Sequence, residues 1–79
     1  MPWSKMYFDG NYVWTRVRTS DAHRAYRCGD AVAIASPYDA PTVIPRGQNF
    51  CSYKDRYERW ADAPAAFYVV ARAADYATC

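Results

Sequence analysis

The chain has 79 residues and a net charge of +2, a length that bounds it to one domain, 1–79, with a modest core and little room for a deep pocket or a catalytic set. It contains no Leu but eight Tyr, three Trp and three Phe, a composition that suits a half-buried pleated surface. No run approaches the ~18 apolar residues that span a bilayer, and MPWSKMYF lacks the apolar stretch of a secretory signal, so the expected location is the cytoplasm.

The first predicted element is a hairpin in MYFDGNYVWTRVRT, residues 6–19, with Asp9-Gly10 as a two-residue turn that needs positive φ. Pairing about that turn sets Phe8 against Asn11, Tyr7 against Tyr12 and Met6 against Val13. One face then carries Met6, Phe8, Val13, Thr15 and Val17, an ordinary core face. The other carries Trp3, Lys5, Tyr7, Tyr12, Trp14, Arg16 and Arg18, an aromatic and basic face.

Residues 20–28 read two ways. Ser20 can cap a short helix with Ala22, Ala25 and Tyr26 facing inward. Alternatively 24–28 is a strand turning at Gly29-Asp30 into a second strand, 31–36, and the Gly-Asp pair favours this reading. Residues 37–48 form a loop punctuated by Pro37, Pro41, Pro45 and Gly47, with Thr42-Val43-Ile44 as a brief edge strand. Residues 52–62, SYKDRYERWAD, predict an amphipathic helix capped by Ser52 and Asp55, with an inward stripe of Tyr53, Tyr57, Trp60 and Ala61, and Pro64 beyond its end. Residues 66–72 predict a strand that is apolar on both sides and so central. The expected fold is α+β: a small antiparallel sheet of four to five strands with one amphipathic helix packed on it.

Charge is unevenly spread. Residues 1–29 hold five cations against two carboxylates, a net of +3, and residues 30–45 hold only Asp30 and Asp39. Cys28, Cys51 and Cys79 are odd in number and lack C-x-x-C spacing, which predicts free thiols. His23 is the sole histidine and fits no nucleophile pattern, and the scattered cysteines lack the close ligand pairs of a zinc site. No glycine-rich phosphate loop is present. The expectation is therefore no enzyme activity, no cofactor and no metal.

Two binding functions remain. Tyr, Trp and Arg are enriched at protein interface hot spots, so Trp3, Lys5, Tyr7, Tyr12, Trp14, Arg16 and Arg18, with Arg56 and Arg59 on the helix, form a candidate partner-binding set. The same face would suit single-stranded nucleic acid, with bases stacked on aromatics and Arg on phosphates, although such modules usually carry a stronger positive field. Its structural alternative is that Trp14 or Trp3 is core, with Arg stems packed over it.

The small size, the Ala-, Arg- and Tyr-rich and Leu-free composition and the absence of a catalytic set resemble small phage-encoded inhibitors, in particular anti-CRISPR proteins. That class shares no sequence motif. The resemblance implies a stoichiometric inhibitor in the host cytoplasm that docks on a protein complex such as a CRISPR effector and blocks target DNA binding. Many members that block DNA binding are acidic mimics, and +2 departs from that. The resemblance therefore implies that Arg16, Arg18, Arg56 and Arg59 contact acidic protein surface or guide-RNA backbone.

Overall fold

A computed structural model describes the backbone of residues 6–9 and 12–70 and the side chains from 14 to 70. The elements run β1 (Met6–Asp9), β2 (Tyr12–Val17), α1 (Thr19–Arg27), β3 (Val32–Ser36), β4 (Asp39–Val43), α2 (Phe50–Ala61) and β5 (Ala66–Val70). The five strands make one antiparallel sheet in the order β1-β2-β5-β3-β4. The fold is α+β as expected, with two helices instead of one.

The hairpin forms in a shifted register. Asp9 pairs with Tyr12 and Tyr7 with Trp14, which moves the connection from Asp9-Gly10 to residues 10–11, outside the described residues. The slip amounts to two positions, an even number, so each strand residue keeps its expected face.

The favoured strand at 24–28 is a helix. Ala22, Ala25 and Tyr26 recur at helical spacing and are buried together, the inward face of the helical alternative. Gly29-Asp30 is a helix stop and not a hairpin turn. Gly29, at φ 89°, lets its N–H donate to the Tyr26 carbonyl at 3.1 Å and the Asp30 N–H to the Ala25 carbonyl at 3.0 Å. That pair of bonds is a Schellman closure, which a glycine in the left-handed region permits at low steric cost.

The second helix begins two residues earlier than expected. Asn49 is its cap, with Oδ1 accepting from the Ser52 N–H at 2.9 Å. Ser52 thus supplies a donor inside the first turn. At the far end Asp62 takes left-handed geometry, φ 53° and ψ 42°, and turns the chain two residues before Pro64. Including Phe50 in the helix re-centres its inner stripe on Phe50, Tyr53, Tyr57 and Ala61. Trp60, expected inside, lies about 60° around the helix from Tyr57 and is 65% exposed.

Both helices cover one face of the sheet. Ala22, Ala25, Tyr26 and Phe50 pack on Val32, Ile34, Phe67 and Val69, with Ile44 closing the cluster and Val17 beside it. The Ile44 N–H donates to the Val32 carbonyl at 2.8 Å, so the chain stays bonded to the sheet as it leaves β4. β5 is central, as its two apolar sides predict, and pairs with β2 and β3. β4 is an edge strand, as is β1 at the other side, and contains Pro41, which has no N–H to offer an incoming strand. It spans 39–43, where the sequence reading set 42–44.

Candidate functional site

Alternation in β2 sets Trp14 and Arg16 on the face away from the helices, where they pair with Val70 and Tyr68 of β5. The expected aromatic and basic platform does not stay open there. Trp14 is 2% exposed, and Ala33 on the same face of β3 is fully buried. Trp14 is therefore a core residue, although its neighbours on that face, Tyr68 and Val70, are half-buried and Arg16 is exposed. Arg16 and Arg18 remain exposed. They line a groove of about 450 Å³ with Val17, Thr19 and Phe67, between the end of β2 and the start of β5. Tyr7 and Tyr12 are placed by strand register only, opposite Trp14 and Asp9. Trp3 and Lys5 lie outside the described residues, as does Cys79.

Aromatic surface appears instead on α2. A groove of about 320 Å³ runs between this helix and the start of β4, lined by Asp39, Tyr53, Arg56, Tyr57 and Trp60. Trp60 meets Tyr57 edge-on, with ring centroids 5.8 Å apart. Arg56 donates to the Gln48 side-chain oxygen at 3.2 Å and holds its guanidinium 5.8 Å from the Tyr53 ring. Arg59 projects outward next to Trp60 in sequence and is exposed. The Tyr57 hydroxyl is buried with no hydrogen-bond partner, a polar group left to be satisfied beside the groove. Sequence periodicity missed Trp60 as a surface residue because Phe50 was not counted in the helix. The capping Asn49 was the available signal for it.

The helix that carries this groove is held at both ends. Glu58 Oε2 accepts from the Ala65 N–H at 2.7 Å and Oε1 accepts from the Lys54 ammonium at 2.9 Å. Burial pushes the Glu58 carboxyl up, but the Ala65 N–H and the Lys54 ammonium more than offset that and hold it below its ordinary value. The Glu58 hydrogen bond raises Lys54 against a smaller effect of burial. One carboxylate thereby ties the middle of α2 to the chain entering β5.

The connection into α2 is fixed by Tyr26 and Arg46. The Tyr26 hydroxyl points its proton at two carbonyls, Pro45 at 2.8 Å and Gln48 at 3.0 Å. Arg46 donates to the Tyr26 carbonyl at 2.9 Å and the Asp30 carbonyl at 3.2 Å, with its guanidinium 4.0 Å over the Tyr26 ring. These contacts join residues about twenty apart, so local sequence gives no sign of them.

His23 stacks on Phe50 at 4.9 Å and 11°, a packing role. Among the described residues no group of three or more His, Cys, Asp or Glu side chains is placed to hold a metal ion, and no helix is long and apolar enough to cross a membrane. The expectation of three free thiols is corrected: Cys28, at the end of α1, is disulfide-bonded, whereas Cys51 is free and exposed. An odd cysteine count leaves room for a bridge, and spacing alone does not reveal which thiols meet in space. In comparison with known proteins, no family model, curated protein or solved structure matches the chain.

Proposed function

We propose that the chain is a non-enzymatic inhibitor that docks on a host protein complex through the α2 face, as the anti-CRISPR class does on CRISPR effectors to block target DNA binding. The observation that carries this reading is Trp60, a large aromatic 65% exposed beside an open groove and flanked by Arg56 and Arg59. Trp, Tyr and Arg dominate interface hot spots because they contribute large buried area with a polar tip. The charge of the face fits a protein partner: from 54 to 62 three cations meet three carboxylates, so no net field favours a polyanion. Arg16 and Arg18 supply a second, charged contact at the end of β2. The alternative of a single-strand platform on the sheet loses its central stacking group, because Trp14 is buried. The site of action is the host cytoplasm. The groove does not include Cys28, so reduction of that disulfide in such a compartment leaves the docking residues in place.

The test is a parallel pull-down from bacterial lysate with the native chain and with Trp60→Ala, read by mass spectrometry, followed by a DNA-binding assay on the captured complex. The native chain should retain a complex that Trp60→Ala releases, and should lower that complex's affinity for its target. Equal capture by both proteins, or capture with no effect on DNA binding, overturns the reading.

A further inference from the structure

α1 carries a surface of a different kind from α2. Its buried residues are Ala22, Ala25 and Tyr26, which turns Arg24 and Arg27 outward on the opposite side. From 16 to 27 four arginines meet one carboxylate, a net of +3. That carboxylate, Asp21, is shared by two guanidinium groups at long range, Arg18 at 3.8 Å and Arg24 at 4.0 Å. Arg18 and Arg24 remain 79% and 55% exposed, and ion pairs so exposed hold their partners weakly. Asp30 follows the helix, and Arg46, bonded to its carbonyl, offsets its charge.

Arg18 is also an unexpected choice for its position. It occupies the N-cap of α1 and makes no side-chain capping bond. Short oxygen-bearing side chains are preferred there, and the helix dipole disfavours a cation. Helix stability therefore does not account for this arginine.

We propose that the outward ridge of α1 docks on the phosphate backbone of duplex nucleic acid, with Arg18, Arg24 and Arg27 as the contacts. From Arg18 to Arg27 the helix runs roughly 13 Å, a length over which a duplex presents about eight phosphate charges. A duplex is favoured over a single strand because base stacking needs exposed aromatics among the cations. Among the described residues the exposed large apolar side chains are Tyr38, Val43 and Trp60, none of them on α1. Of these three contacts only Arg18 also belongs to the surface of the proposed inhibitor; Arg24 and Arg27, which carry the test, do not.

Fluorescence anisotropy of the full chain with a labelled duplex of about 20 base pairs tests it. With three phosphates contacted, the association constant should fall roughly 40-fold between about 50 and about 200 mM salt. Arg24→Ala with Arg27→Ala should weaken binding at low salt at least about tenfold and flatten the salt response, since two of the three counterion-releasing contacts are lost. Arg24→Lys with Arg27→Lys, which keeps the charge, should bind nearly as the native chain does, and this holds the test open if the alanine variant misfolds. Arg56→Ala with Arg59→Ala should change neither quantity. No duplex binding at low salt, or binding indifferent to Arg24 and Arg27, overturns the proposal. Tighter binding to the matching single strand, or displacement of the duplex by polyglutamate at equal charge, also overturns it, the latter in favour of an acidic polypeptide.

Discussion

Trp14 in β2 and Trp60 in α2 end on opposite sides of the line between core and surface. Trp14 shares a strand face with Arg16 and so reads either as part of a surface stripe or as core under the Arg stems, whereas Trp60 falls in a helical apolar stripe and so reads as core. The structure buries the first and exposes the second. The difference teaches where each kind of periodicity fails. In a strand, alternation tells which residues share a face and is silent on whether that face is covered. In a helix, the stripe's direction depends on where the helix starts, and adding Phe50 rotates the inner face away from Trp60.

Replacing each tryptophan in turn is the strongest way to break this comparison. Trp14→Ala should cost about 3–5 kcal/mol, the range for removing a large buried aromatic, read as a shift in the midpoint of urea unfolding. Trp60→Ala should stay within about 0.5 kcal/mol. Equal losses would mean that both rings serve the core. A smaller change sharpens the view of α2 as a platform. Asn49→Ala removes the side-chain acceptor for the Ser52 N–H and should lower stability by about 1 kcal/mol in the same measurement. The smallest effect concerns Glu58. Its folded-state pKa is depressed below the ordinary 4.5, so its contribution is present above that pH and is lost as the pH falls through the lower, folded value. Glu58→Gln should cost about 0.5 kcal/mol at neutral pH and should remove this part of the acid destabilisation, seen as a flatter thermal midpoint below about pH 4.5. An unchanged acid profile would show that Glu58 does not tie α2 to β5.

Much of the architecture was legible because it rests on local signals. The two apolar sides of 66–72 marked a central strand, and prolines around 41–45 marked an edge. The split between hairpin faces survived a register slip because the slip was even. What escaped was decided by contacts distant in sequence. Gly29-Asp30 carries the same residues whether it closes a hairpin or ends a helix, and only packing of Ala22, Ala25 and Tyr26 on the sheet selects the helix. Arg46 has no local mark of its hold on Tyr26, and the bridge at Cys28 is invisible to cysteine spacing. On the candidate surfaces, strand alternation and helix periodicity already placed Arg16, Arg18, Arg56 and Arg59 outward, and all four are exposed. The sequence left open whether Trp14 belongs to the core or to a surface, and the structure buries it.

The position of β5 also bears on how the molecule comes into being. β5 follows every other described strand in sequence yet lies in the middle of the sheet, between β2 and β3. Until residues 66–70 leave the ribosome, those two strands have no partner on their inner edges, and the surface that will receive Phe67 and Val69 stays open. Local hairpins and helices can form during synthesis, but joining the halves waits for this last insertion and closes contacts of long sequence separation, which slows folding. During that interval the unpaired edges of β2 and β3 are open to pairing with other chains. Recovery of folded protein should therefore depend on how fast and how crowded its synthesis is, more than on the final stability of the sheet.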